Sequence, residues 1–230
     1  MKNGSGVEAG RFNAWSGDLS AGSVYRVQSS RVKRMMDIGM AFPVLILVSP
    51  VLMLIYALLK VFDPGPALFT QQRIGRDGQI FLVYKFRTMR IDAAERLEHL
   101  LANDPRAAAE WAEFQKLRND PRVTLLGRFL RKSSLDELPQ LLNIMRGEMS
   151  VIGPRPVTAA EMQRYGGDLP FYTAVRPGVL GLWQVKGRNS LTYTQRIAYD
   201  VQYVKTWSIW QDIKIVLMAI PVVLLGKGAY

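Results

Sequence analysis

The chain's apolar and polar positions fall into several distinct patterns. No charged residue occurs from Ile38 to Leu59, a run of 22 positions. As a straight helix that run would reach about 33 Å, enough to cross a bilayer. After the break Asp63-Pro64-Gly65-Pro66, "ALFTQQRIGRDGQIFLVYKF" reads as two short strands. The Asp77-Gly78 pair between them predicts a tight hairpin turn. Asp92 to Leu101 predicts a helix, and Asp104-Pro105 predicts an N-cap with proline at the first helical position of a second helix, running to about Leu117. Both are alanine- and charge-rich, with one face exposed. Val151 to Arg188 is irregular and marked by Gly and Pro. The final segment, "TQRIAYDVQYVKTWSIWQDIKIVLMAIPVVLLGKGAY", reads as helical. Its charge-free run, Ile215 to Leu225, is too short to span a membrane. Tyr203, Trp207 and Trp210 resemble an interfacial aromatic belt. Residues 1–30 lack apolar periodicity and read as a disordered tail without signal-peptide character.

The long apolar run admits two readings. One is an ordinary transmembrane anchor. The other is a re-entrant helix, favoured by two features. Ser49-Pro50 lies in the middle of the run, and an interior proline removes a backbone hydrogen bond and kinks a helix. A serine hydroxyl can satisfy a carbonyl freed at such a break. The second feature is charge: Arg31, Lys33 and Arg34 precede the run, while Lys60, Arg73 and Arg76 follow it. Positive residues favour the cytoplasmic side, so both flanks favour the same side. A helix bent at Ser49-Pro50 that enters and leaves by one face satisfies both.

Composition narrows the chemistry. The 230 residues carry 30 basic and 19 acidic side chains, a net charge of +11. That excess points to an anionic partner: nucleic acid, lipid head groups or phosphorylated small molecules. Cysteine is absent and His99 is the one histidine. Thiolate nucleophiles, Cys-type zinc sites and Ser-His-Asp triads are therefore excluded or improbable. Carboxylates, arginines and lysines must carry any catalysis.

One stretch concentrates these groups. In "LRKSSLDELPQLLNIMRGEMSVIGPRP", Asp136 and Glu137 are adjacent, with Arg118, Arg122, Arg128, Arg131 and Lys132 close upstream. The structural reading is a capping box, with Ser134 as N-cap and Glu137 three residues later, both acids complementing the helix dipole. Pro139 complicates it by starting the helix late or bending it. The chemical reading begins from divergence: adjacent helical residues point about 100° apart, so the two acids suit separate tasks on one ligand. One could attack a phosphorus atom while the other holds Mg²⁺ on the same phosphate. The arginines would bind that phosphate in bidentate fashion.

These motifs, with "YKFRTM" and "VRPGVLGLWQVKGRN", resemble the bacterial sugar transferases that prime polysaccharide assembly, the monotopic polyprenyl-phosphate phosphoglycosyltransferases. The likeness covers about Arg31 to Tyr230 and is nearest to exopolysaccharide-priming galactose phosphotransferases, including the ending "GKGAY". It implies transfer of a sugar-1-phosphate from a UDP-sugar to undecaprenyl phosphate, with release of UMP, at the cytoplasmic face of the bacterial inner membrane. The partners it implies are the UDP-sugar, undecaprenyl phosphate and inner-leaflet lipids. By resemblance Asp136 is the nucleophile, Glu137 a ligand of the Mg²⁺ cofactor, and Arg131 a phosphate binder. Pro154, Arg155 and Pro156 fall on the nucleotide-sugar motif, Arg176 and Asp200 on further site stretches, and Ser49-Pro50 on the membrane-helix break. The fold implied is mainly α with a small β-hairpin, a monotopic membrane protein with a re-entrant helix and interfacial amphipathic helices. Its divisions are a tail (1–30), the re-entrant helix broken at Ser49-Pro50 (31–62), and a cytoplasmic catalytic domain with interfacial C-terminal helices (63–230).

Two other classes compete. A membrane-tethered nucleic-acid binder fits the charge, but no RNP-like, zinc-finger or basic-zipper pattern is present, so no nucleic-acid partner is expected. A non-catalytic scaffold of a polysaccharide machine sits poorly with an intact acid pair. The donor sugar, galactose or glucose, is not legible, and a homo-oligomer is compatible with the sequence.

Overall fold

The computed structural model describes residues 30–114, 117, 119–187 and 191–224. Residues 1–29 of the expected tail, and the chain beyond Leu224, lie outside the described residues. The protein is mainly helical, with a small antiparallel hairpin.

Helix α1 covers Arg31–Phe62. It is helical throughout, Ser49-Pro50 included, so a flexure at Pro50 would be a bend within one helix and not a gap between two. The physical reason is the cost of stopping: a helix end leaves four N–H or four C=O groups without intrahelical partners, whereas proline removes one donor. Among the described residues α1 is the one helix long and apolar enough to cross a membrane, and only 11% of its most apolar window is buried. Leu47, Met53, Leu54 and Val61 are all exposed. A core helix of a water-soluble protein would be mostly covered.

The chain forms two compact units. The smaller comprises Val48–Phe69 and Tyr84–Pro139 among the described residues. It holds the second half of α1, part of the hairpin (β1, Leu68–Ile74; β2, Ile80–Phe86), and helices α2 (Ala93–Asn103), α3 (Pro105–Phe114) and α4 (Leu125–Ser133). Asp104 caps α3 as its Asp-Pro pair predicts: its carboxylate accepts from the N–H groups of Arg106 and Ala107 at 2.9 and 3.1 Å. The core of this unit joins Ile55 and Leu59 of α1 to Ala67, Phe86 and Leu130. Arg87 of "YKFRTM" is buried. Its guanidinium bonds the Asp63 carbonyl and pairs with the Asp63 carboxylate at 3.3 Å.

The larger unit comprises the described residues to Leu47, then Thr70–Val83 and the chain from Gln140. Helices α5 (Gln140–Arg146), α6 (Ala159–Met162), α7 (Leu169–Thr173), α8 (Leu182–Lys186), α9 (Tyr193–Lys205) and α10 (Ile209–Leu224) belong here. The irregular stretch contains a parallel strand pair that the sequence does not reveal. Strands β3 (Ser150–Ile152) and β4 (Gly178–Leu180) meet with Ser150 opposite Gly178 and Ile152 opposite Leu180.

The start of α1 is held in this unit by buried charge. The Lys33 ammonium donates to Asp212 Oδ2 at 2.7 Å and to the Ile152 carbonyl at 2.9 Å. Asp37, one turn on, accepts from Ser150 Oγ at 2.8 Å and the Val151 N–H at 2.9 Å. Tyr203 and Trp207 donate to Asp212 at 2.9 and 3.1 Å. The expected aromatic belt is therefore corrected: Tyr203 and Trp207 are buried donors to an interior carboxylate, and only Trp210 is exposed. Removing one partner from a buried ion pair leaves an uncompensated charge. Lys33→Ala should therefore lower stability by about 3–5 kcal/mol, read as a fall in the unfolding midpoint of detergent-solubilised protein. Lys33→Met with Asp212→Leu should recover most of the loss. A single variant as stable as wild type would show that the pair does not hold α1.

Candidate active site

The acid pair is positioned by α4 and the end of β2, all in the smaller unit. Thr124 caps α4, accepting from the Gly127 N–H at 2.9 Å. Leu126 and Leu130 face the unit's core. Gly127 lies against the backbone of Thr88, where a Cβ would come within 2.0 Å of the Thr88 carbonyl oxygen. Only glycine permits this approach, and it sets Arg131 beside the same residue: Arg131 Nε donates to Thr88 Oγ1 at 2.8 Å.

Helix α4 ends at Ser134, which adopts a left-handed conformation (φ 57°, ψ 16°). That conformation is uncommon for a residue with a Cβ. It closes the helix and turns the chain into a 3₁₀ turn, Leu135–Glu137. The expected capping box is corrected here, because the Ser134 side chain makes no capping bond. The Glu137 carboxylate instead accepts from Lys85 Nζ at 2.6 Å. Pro139 directly precedes α5, which begins at Gln140, so the helix starts late.

The two acids occupy different environments. Burial pushes the Asp136 carboxyl above its ordinary range, and the adjacent Glu137 charge pushes the same way. Lys85 and Arg131 oppose both effects and favour the carboxylate. Among the described residues no other side chain hydrogen-bonds Asp136, while Glu137 is ion-paired. A desolvated carboxylate steadied by two cations suits attack on a phosphorus atom.

Lys85 was not singled out for the site by sequence reasoning, though a signal existed. In β2 Phe81, Val83 and Phe86 are buried; period two from the first two places Lys85 on their face, and it is half-buried. A charge at an inward strand position calls for a buried partner. Thr88, which holds Arg131, carried no such signal.

The other expected site residues belong to the larger unit. Pro154, Arg155 and Pro156 follow β3, and their placement depends on two glycines. A Cβ on Gly178 would come within 2.1 Å of the Gly153 nitrogen, and one on Gly153 within 2.6 Å of the Arg176 carbonyl oxygen. The "GPRP" and "VRPG" motifs therefore pack backbone to backbone, with the Gly178 N–H donating to the Pro154 carbonyl at 2.7 Å. Arg73 Nη1 donates to the Pro156 carbonyl at 3.1 Å and to Glu161 at 2.9 Å. Arg176 Nε donates to the Gly147 carbonyl at 2.7 Å, a loop-bracing contact. Asp200 is buried in α9 and accepts from the Tyr165 hydroxyl at 2.8 Å. Burial lifts its pKa to about 7, against the Tyr165 hydrogen bond and the Arg155 charge. Arg155 and Asp200 are thus electrostatically linked.

As a test of metal fit, the described residues contain no cluster of three or more metal-ligating side chains. The pair Asp136 and Glu137 nevertheless matches Mg²⁺, which takes one or two carboxylates and fills its remaining positions with water and substrate phosphates.

Comparison with known proteins agrees with this geometry. The bacterial sugar transferase family model matches residues 28–226, and the chain belongs to that family. An undecaprenyl-phosphate galactose phosphotransferase of Salmonella typhimurium is 50% identical over 205 residues, covering 88% of this chain and 43% of that protein. The exopolysaccharide production protein ExoY of Rhizobium meliloti is 50% identical, with coverage of 86% and 88% respectively. A UDP-glucose:undecaprenyl-phosphate glucose-1-phosphate transferase of Caulobacter vibrioides is 42% identical, with coverage of 91% and 76%. The chain spans less than half the length of the Salmonella relative.

Asp200 yields a stability prediction. Its folded pKa, about 7, lies above the ordinary 3.8, so the folded state favours the protonated acid. The wild type should lose stability as pH rises from about 4 to about 7 and level off above that. Asp200→Asn does not titrate, so its stability relative to wild type should rise across the same window. Denaturant midpoints at several pH values measure this. A difference that does not change with pH would mean that Asp200 stays ionised when folded.

Proposed function

We propose that the protein transfers a sugar-1-phosphate from a UDP-sugar to undecaprenyl phosphate, the first membrane step of exopolysaccharide biosynthesis. The observation that carries this reading is the unequal acid pair: Asp136 desolvated between cations, Glu137 ion-paired to Lys85. An Asp136 oxygen attacks the sugar-linked phosphorus, the bond from that phosphorus to the UMP oxygen breaks, and UMP leaves. A phosphate oxygen of undecaprenyl phosphate then attacks the same phosphorus. The bond to Asp136 breaks and the carboxylate is restored. Arg131 balances phosphate charge. Glu137 is the side chain that would hold Mg²⁺, which when bound neutralises charge on the phosphate oxygens. Arg155, with Asp200 behind it, is assigned to the nucleotide-sugar. Galactose is the proposed sugar, supported by the likeness to the Salmonella galactose phosphotransferase and to a UDP-galactose-lipid carrier transferase of Erwinia amylovora. Glucose is the second reading, favoured by the Caulobacter relative.

The same reading makes the protein monotopic on the cytoplasmic face of the inner membrane. The exposed apolar surface of α1 supports insertion, and the basic residues on both flanks support a single-sided topology, with Pro50 as the flexure.

The test of mechanism incubates enzyme with Mg²⁺ and UDP-galactose, without lipid acceptor, and analyses peptides by mass. A phosphosugar on the peptide containing Asp136, with UMP released, is expected. Asp136→Asn should form no adduct and lose turnover. Glu137→Gln should retain some activity and need more Mg²⁺. Fast turnover without any adduct, and an active Asp136→Asn, would sink the covalent scheme. A panel of UDP-sugars, scored by product extracted into lipid, decides the donor.

Topology is tested with single cysteines, which the native chain lacks. Ser30→Cys and Thr70→Cys should both be shielded from a membrane-impermeant thiol reagent added outside intact cells. Labelling of one alone would mean that α1 spans.

A further inference from the structure

Helix α4 (Leu125–Ser133) has an ordered circumference. At 100° per residue, Leu126 and Leu130 form the stripe that packs into the core, and Gly127 lies beside them against Thr88. Arg131 follows, half-buried and bonded to Thr88. Next come Arg128 and Lys132, both exposed. Last come Leu125 and Phe129, 79% and 59% exposed. The helix contains no acidic residue, and among the described residues neither Arg128 nor Lys132 has a side-chain ion pair or hydrogen bond.

Two large apolar side chains four residues apart thus stand outward, bordered by two cations. The band of cations runs on to Arg131, and the chain then passes through Ser134 to Asp136. An amphiphile with an apolar tail ending in a phosphate complements this order. A phosphate monoester carries about −1.5 to −2 charges at neutral pH, whereas the phosphodiester of an ordinary phospholipid carries one. Two adjacent, otherwise unengaged cations match the monoester.

We propose that the outer face of α4 is the docking surface for the isoprenoid phosphate acceptor. Leu125 and Phe129 lie along its first isoprene units. Arg128 and Lys132 hold its phosphate and deliver it to the side of the helix occupied by Arg131. The inference rests on the reaction proposed above for its acceptor, and its test separates the two.

The experiment uses the full chain in phosphatidylcholine nanodiscs. Joint substitution Arg128→Ala and Lys132→Ala should raise the KM for undecaprenyl phosphate about tenfold. The KM for the UDP-sugar and the yield of Asp136 adduct without acceptor should stay at wild-type levels. Arg128→Lys with Lys132→Arg should restore most of the acceptor affinity. A diazirine-bearing isoprenoid phosphate should label the peptide containing Leu125 and Phe129. Excess undecaprenyl phosphate should suppress that labelling, and phosphatidylglycerol should not. The proposal is overturned if the double variant keeps the wild-type KM while adduct and turnover are normal. It is equally overturned if phosphatidylglycerol suppresses labelling as well as the acceptor does, since the face would then serve bulk anionic lipid. Wild-type enzyme that forms neither adduct nor UMP would overturn the reaction instead, and the labelling still reads the surface without turnover.

Discussion

The Lys33 ammonium lies at the start of an apolar helix with 6% of its side chain exposed, and a charge so placed must find its partners inside the protein. Asp212 and the Ile152 carbonyl supply them. The consequences spread through the larger unit. Asp212 must remain at the start of α10, where Tyr203 and Trp207 bond the same carboxylate. Asp37, one turn beyond Lys33, fixes β3 through Ser150 and Val151. Strand β3 in turn leads into Gly153, whose contact with Gly178 sets the "GPRP" turn. A buried charge network is specific because its geometric demands are strict, and replacing it with apolar residues of similar volume can cost little stability. Its value here is registration: a long apolar helix, which could slide along its axis at little cost, is pinned at one end.

The smaller unit solves a different problem, that of holding two adjacent carboxylates without neutralising both. A 3₁₀ turn makes them diverge, and Lys85 takes one. The other is left desolvated, close to cations but not locked in a bidentate pair. Tight backbone packing sets this geometry, since Gly127 brings α4 against Thr88 and thereby orients Arg131. A carboxylate saturated by arginine would be a poor nucleophile, and one left free in water would be fully solvated. Asp136 lies between those limits.

The proposed membrane setting rests on exposed apolar surface. In water, large aliphatic side chains on most of a 32-residue helix would drive aggregation. In lipid the same surface costs nothing, and continuous helical hydrogen bonding satisfies the backbone. The smaller unit therefore presents apolar residues on the second half of α1 and on α4, and the acid pair follows α4 directly in sequence.

Sequence alone determined what depends on short-range physics. The Asp-Gly turn, the Asp104 cap and the long apolar run follow from the conformational limits of a few adjacent residues and from a single hydrophobic period. The nearness of Arg131 to the acid pair was legible because they share one short stretch. Tertiary structure decided what depends on distant partners. Lys33 meets Asp212 across 179 positions and Lys85 meets Glu137 across 52, separations that no local pattern encodes. The capping-box alternative for Glu137 fails although local spacing favours it, because a lysine on β2 takes the carboxylate. Tyr203 and Trp207 read as an interfacial belt because their amphipathic rings suit one equally well. The buried carboxylate that captured them is specified only by the fold. At Pro50 the helix continues, because ending it on both sides would leave more backbone groups without partners than the one donor that proline removes.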